Sequence, residues 1–161
     1  MRMDDSRLFT ERQRFTQWWV WLILGALVVL SAYALIQQLI IGEPFGEHPM
    51  PDIAMVGFSL LIFGMAVLIW VVHLDTRIDE VEIGIYFFPF LQKRISWKDV
   101  ERVEIIRYGF VGYGIRAGTR HGTVYNTGGQ TGLSIQLKSG RKLVIGTRRE
   151  TELRIFLKQL G

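Results

Sequence analysis

Residues 18–36 read WWVWLILGALVVLSAYALI and residues 53–72 read IAMVGFSLLIFGMAVLIWVV, two runs of nineteen and twenty residues without a charge. At a rise of about 1.5 Å per residue, either run as a helix spans a hydrocarbon core of about 30 Å. The first run continues apolar to Ile41, so the spans are read as residues 18–41 and 53–74, joined by a loop at 42–52. Between Trp18 and Leu74 the only charges are Glu43, Glu47 and Asp52, and all 19 Lys and Arg lie outside that stretch. This division explains a mean hydropathy of +0.23 in a chain of only 161 residues. It excludes a single soluble core built from the whole chain, because a domain of this size needs polar cover over most of its surface.

The flanks set the expected orientation. Arg2, Arg7, Arg12 and Arg14 precede the first span and Arg77 follows the second, whereas the connecting loop has no basic residue. The positive-inside rule places residues 1–17 and 75–161 in the cytoplasm and the loop outside. Trp18, Trp19, Trp21 and Trp70 then share the cytoplasmic interface, where an amphipathic indole is favoured. Cleavage of the first span as a signal peptide at the Ala32-Tyr33-Ala34 pattern is opposed by Asp4, Asp5 and Glu11 ahead of it and by the apolar run beyond it. Small residues seven apart, Gly25 with Ala32 and Gly57 with Gly64, are expected to pack the two spans against each other, a dimer interface being the lesser reading. Gln37 and Gln38 are assigned to the headgroups or the loop. Apart from His73 at the cytoplasmic boundary, no ionisable residue interrupts either span, which argues against a channel or pump.

Residues 75–161 carry fifteen Lys and Arg against nine Asp and Glu, a surplus of six. Their pattern has period two. Leu133, Ile135 and Leu137 alternate with polar residues, Ser139-Gly140 makes a turn, and Leu143 and Ile145 resume, which is a hairpin. Further strands are read at 85–90, at 101–108 and, as a pair, within 113–127. Eight glycines between Gly109 and Gly132 supply the bends of a small curved sheet. Thr147 and Glu150 form a capping box, and Leu153, Phe156, Leu157 and Leu160 make one apolar face of a closing helix. Several antiparallel strands followed by one amphipathic helix predict an all-β barrel capped by a C-terminal α-helix.

The order and spacing of short elements resemble a family of uncharacterised bacterial membrane proteins, in which two transmembrane helices precede a cytoplasmic domain similar to the pleckstrin-homology fold. The elements are residues 76–79, Gly84-Ile85-Tyr86, Pro89-Phe90, the ISWKDV segment at 95–100, Tyr113-Gly114-Ile115-Arg116, Tyr125-Asn126, Gly132-Leu133 and Ile145-Gly146-Thr147, with Glu43-Pro44-Phe45-Gly46 and Pro49-Met50 in the outer loop. Relatives show a glycine pair and Trp ahead of Gly-Ile-Arg, where this chain has Val111-Gly112-Tyr113. The resemblance implies a helical transmembrane hairpin plus a PH-like small barrel in the bacterial inner membrane. It implies no reaction.

The residues offer little chemistry of their own. The chain has no Cys, which removes disulfides, thiolate metal sites and Cys nucleophiles. Residues 112–117 match G-x-G-x-x-G/A, but Gly118, Gly122 and Thr123 forbid the helix that would aim at a pyrophosphate. His48, His73 and His121 are too scattered to assume one metal site. Ser96 reads as the cap of a short turn completed by Asp99 rather than as a nucleophile, and Trp97 and Val100 are expected to tuck under the sheet. No cofactor is assigned. The functional candidates are basic: Arg107, Arg116, Arg120, Lys138, Arg141, Lys142, Arg148 and Arg149, expected on neighbouring turns and strand ends.

The main expectation is a non-catalytic interaction or regulatory module at the membrane, with a membrane-protein partner or a second copy of itself. The alternative is sensing of an anionic lipid headgroup by the basic hairpin ends, each basic residue near an anionic surface contributing about 1 kcal/mol. The plainest reading of the basic residues is a solvated positive-inside face. A membrane-surface enzyme is the minor competitor. Nucleic acid is set aside despite a pI near 9.6, because no recognition motif is present.

Overall fold

A computed structural model describes residues 8–109 and 112–160, so Arg2, Asp4, Asp5, Arg7 and Val111 among the residues discussed above lie outside the described residues. The chain divides into two compact units, one formed by residues 16–71 and the other by residues 1–15 and 72–161.

The helical unit contains α1 (Trp18–Leu35), which continues as a wider π-helical turn over Ile36–Ile41, and α2 (Asp52–Val71). Both are long and apolar enough to cross a membrane, and only 17% of each apolar window is buried within the protein. A core helix of a soluble domain hides most of such a surface. The mutual face is made by Leu24, Ser31 and Ala34 of α1 and by Met55, Ser59 and Ile62 of α2. The expected packing through Gly25, Gly57 and Gly64 is not found: a Cβ at any of the three would meet no atom within 4 Å. The polar small residues Ser31 and Ser59 take that place, on faces a third of a turn or more away from the glycines. Gln38 holds the loop between the helices, its Nε2 donating to the Met50 carbonyl at 2.8 Å and to Asp52 Oδ1 at 2.6 Å.

In the second unit, the first strand comes from before the helices. β1 (Phe9–Arg14) pairs antiparallel with β2 (His73–Ile78) over six residues, from Phe9 opposite Ile78 to Arg14 opposite His73. Phe9, Glu11 and Gln13 face inward and Thr10, Arg12 and Arg14 outward. The segment read from sequence as a plain N-terminal flank, residues 1–17, thus supplies an integral strand. The boundary drawn at Leu74 also moves, because α2 stops at Val71 and Leu74 is a fully buried core residue of β2. β3 (Glu82–Phe88) and β4 (Leu91–Ser96) complete a four-stranded antiparallel meander in the order β1-β2-β3-β4.

Ser96 ends this sheet and caps a short 3-10 turn at Trp97–Asp99, its hydroxyl accepting the Lys98 N–H at 3.3 Å. The Trp97 indole donates to the Asp79 carbonyl at 2.7 Å, and Trp97 and Val100 both pack on the core. The second sheet is built from β5 (Val100–Arg107), β6 (Gly114–Thr119), β7 (Gly122–Asn126), β8 (Thr131–Leu137) and β9 (Lys142–Gly146), in the order β5-β8-β9-β7-β6. β8 and β9 form the hairpin around Ser139-Gly140, and β7 runs parallel to β9. The expected closed barrel resolves into two sheets of four and five strands that remain unclosed, because the turn at Trp97–Asp99 interrupts the ladder between β4 and β5.

The two sheets share one core. Leu74, Ile78, Ile83, Ile85, Phe87 and Ile95 of the first sheet meet Leu133, Ile135, Leu143 and Ile145 of the second, with Leu153 and Phe156 from α3 (Glu150–Leu160) in the same cluster. The helix therefore buries the face that its spacing predicts. Its start lies later than the expected capping box. The Arg149 carbonyl accepts the first helical bond, from Leu153 at 3.0 Å, while the Thr147 hydroxyl accepts the Arg149 N–H at 3.1 Å and donates to Glu11 Oε2 at 2.6 Å.

A smaller cluster lies on the outer face of the second sheet, where Tyr108 covers Val124 and Val144 with Ile106 alongside. Gly132 and Gly146, register partners on β8 and β9, make room for that ring. A Cβ at Gly132 would fall 2.9 Å from Tyr108 Cε1 and 2.5 Å from the Ile145 carbonyl oxygen, and one at Gly146 would fall 3.0 Å from the Tyr108 hydroxyl.

Candidate functional site

The strand directions decide where the basic residues go. At one end of the domain the Gln13 side chain donates to the Gly146 carbonyl at 2.7 Å, and the Arg148 guanidinium donates to the Arg14 carbonyl at 3.1 Å. This is the end at which the chain runs on toward α1. β9 leads from there back to Lys142, about 13 Å away at about 3.3 Å per residue. Because β7 lies parallel to β9 with Thr123 opposite Leu143, the β6–β7 turn holding Arg120 and His121 sits at the far end beside Lys142. The β8–β9 turn holding Lys138 and Arg141 is there too, tied to the Trp97–Asp99 turn by the Lys138 N–H donating to the Asp99 carbonyl at 2.9 Å.

The eight candidate cations therefore do not converge. Lys138, Arg141, Lys142 and Arg120 occupy the far end. Arg148 lies at the near end, on the Arg14 carbonyl, whereas Arg149 lies beside the start of β1: its guanidinium donates to Glu152 and, at 2.9 Å, to the Thr10 carbonyl, and lies 5.7 Å over the Phe9 ring. Arg116 lies in mid-strand opposite Val124, its guanidinium close over the backbone of Gly112. Arg107, at the near end of β5, donates to Gln130 Oε1 at 3.3 Å.

Three of the eight do share a feature. A groove of about 420 Å³ on the outer face of the second sheet is lined by Arg102, Glu104, Ile106 and Arg107 of β5, Ser134 and Gln136 of β8, Lys142, and the Arg120-His121 turn. Arg102 pairs with Glu104 at 3.1 Å. Arg120 Nε donates to His121 Nε2 at 2.9 Å, so that imidazole nitrogen serves as an acceptor here. Among the lining residues, four cations face one carboxylate. Arg102 and His121 also line it and escape sequence reading: the β5–β8 register, with Arg102 opposite Gln136, brings the first there, and the parallel pairing of β7 with β9 brings the second. Lys93 adds to the positive character of the same domain: burial and then the neighbouring charge of Arg141 hold its ammonium below the usual lysine range.

The outer face of the first sheet carries a larger groove, of about 640 Å³, lined by four cations, Lys93 among them, and four carboxylates. Arg12 donates to both carboxylate oxygens of Asp75, at 2.7 and 2.6 Å, and Arg94 pairs with Glu82 at 3.6 Å. It offers an anion less than the second groove does.

Two of the buried polar residues, Glu11 and Asn126, fasten the backbone. Glu11 accepts the Thr147 hydroxyl and, at 2.8 Å, the Arg148 N–H, so each of its two oxygens has a partner. Asn126 accepts the Gly128 N–H at 2.7 Å and donates to the Gly112 carbonyl at 3.2 Å. No protein-family model matches the chain, and no curated protein matches it.

Proposed function

We propose that this chain is a non-catalytic interaction module of the bacterial inner membrane, anchored by a helical hairpin with both termini in the cytoplasm and carrying a PH-like domain there. The observation that carries this reading is the pairing of β1 with β2. These strands precede and follow the helix pair and are hydrogen-bonded to each other, so residues 9–14 and 73–160 belong on the same side of any membrane that α1 and α2 cross. The distribution of Lys and Arg supports the cytoplasm as that side. The bent sheets with a helix packed on their shared core agree with the family resemblance.

The groove along β5 is the docking surface in this reading, and its occupant is an acidic segment of a protein partner. Four cations facing one carboxylate favour an anionic chain. Headgroup binding by the basic hairpin ends fits less well, because Lys138, Arg141, Lys142 and Arg120 occupy the end of the domain opposite the one where the chain leaves for α1. A non-catalytic role accords with the polar core, where Glu11 and Asn126 are bound to groups that fix the backbone. To test this, the full chain in nanodiscs of neutral lipid is titrated with a fluorescent polyglutamate peptide. Binding that weakens with salt and is lost in Arg102→Glu/Arg120→Glu/Lys142→Glu supports the groove; equal binding by that variant refutes it.

A further inference from the structure

Phe88, Pro89 and Phe90 are three consecutive exposed apolar residues at the tip of the β3–β4 hairpin, with Phe90 60% exposed. A run of this kind on a water-facing turn costs solubility and is rare without a use. The turn is well formed: the Phe90 N–H donates to the Phe87 carbonyl at 2.8 Å, and while the Phe87 ring is buried in the core, those of Phe88 and Phe90 are turned out.

The register says which end of the sheet this tip belongs to. Phe88 is opposite His73, and His73 is opposite Arg14. These three form one row across the first sheet, the row from which the chain runs through residues 15–17 into α1 and which α2 enters with only Val72 between. The His73 and Phe88 rings stack at 5.2 Å, and Tyr86 extends the stack along the outer face. Arg14 is exposed at the same end, with the Arg148 guanidinium on its carbonyl.

We propose that the turn Phe88-Pro89-Phe90 is a membrane-interface anchor, its two exposed rings entering the boundary between headgroups and acyl chains while Arg14 and Arg148 meet anionic headgroups. The chemistry is that of an interfacial aromatic belt flanked by cations. The proposal rests on the reading of α1 and α2 as membrane spans. It assigns lipid contact to the near end of the domain and leaves the groove along β5 for a soluble acidic partner.

Because the chain has no cysteine, single labels are clean. The full-length protein is reconstituted into vesicles containing anionic lipid, with an environment-sensitive fluorophore at Phe90→Cys, at Val81→Cys on the opposite turn of the same sheet, or at Val29→Cys within α1. The expected result at Phe90→Cys is a blue-shifted emission, quenching by shallow spin-labelled lipid and several-fold weaker quenching by aqueous iodide than at Val81→Cys. Iodide quenching at Phe90→Cys equal to that at Val81→Cys, with lipid quenching retained at Val29→Cys, overturns the anchor alone. Loss of lipid quenching at Val29→Cys as well overturns the membrane reading and the anchor with it.

Discussion

Glu11 and Thr147 lie 136 positions apart in the chain and are joined by a hydrogen bond of 2.6 Å, in which the Thr147 hydroxyl donates to the buried Glu11 carboxylate. The other carboxylate oxygen accepts the Arg148 N–H. The strand before the helical hairpin is thereby fastened to the segment that leads into the last helix, and the domain is complete only when both flanks of the hairpin are present. Glu11→Ala leaves a hydroxyl and an N–H without their acceptor and is expected to cost about 2–3 kcal/mol of domain stability. Denaturant unfolding of the solubilised full chain measures this, with Arg12→Ala as a control that stays close to the parent, because its pair with Asp75 is open to solvent.

The close approach of Tyr108 makes a second expectation. Gly132→Ala sets a methyl against a backbone carbonyl and the Tyr108 ring and is expected to cost about 2 kcal/mol or more. Gly84→Ala is the contrast: its Cβ falls 3.5 Å from the Arg77 carbonyl oxygen, an ordinary contact in an extended strand, and thermal unfolding is expected to move little.

Tyr108 also gives the domain a pH dependence at the alkaline edge. Burial pushes its phenol up to about 12, above the value near 10 of an exposed tyrosine. Between those values the unfolded chain loses the proton and the folded chain keeps it, so stability is unaffected below pH 10 and falls from pH 10 to 12. Tyr125, raised by the same cause, adds to the fall. Unfolding midpoints across that range are expected to decline less steeply in Tyr108→Phe than in the parent.

Within the helical unit, substitutions at Ser59 and Gly64 separate the two faces of α2. Ser59→Ile forces a branched side chain into the contact with α1 and is expected to cost about 1–3 kcal/mol. Gly64→Ala adds a methyl where nothing lies within 4 Å and is expected to leave the melting temperature in detergent unchanged.

The parts of this fold that declare themselves in sequence are those whose signal is local. The two spans, the β8–β9 hairpin at Ser139-Gly140, the Ser96 cap and the apolar face of α3 each follow from neighbouring residues. β1 gives no such signal: two of its three inward residues, Glu11 and Gln13, are polar, so period-two apolarity is absent, and its partner strand lies beyond both helices. Thr147 and Glu150 have capping-box spacing, yet the Thr147 hydroxyl is directed to Glu11, and the helix starts at Glu150. The basic residues are visible as a surplus, but their sorting between the ends of the domain depends on the parallel pairing of β7 with β9. That pairing joins segments about twenty residues apart and leaves no mark in either strand.

The account rests on residues from both sides of the helical hairpin sharing one domain on the cytoplasmic face, and cysteine labelling of whole bacterial cells tests that most directly. Thr10→Cys in β1, Ser139→Cys in the β8–β9 turn and His48→Cys in the loop between the helices are each expressed in the full chain and exposed to a membrane-impermeant maleimide. The account predicts that His48→Cys reacts in intact cells while Thr10→Cys and Ser139→Cys react only after the membrane is opened. Reaction of Thr10→Cys or Ser139→Cys in intact cells would contradict it.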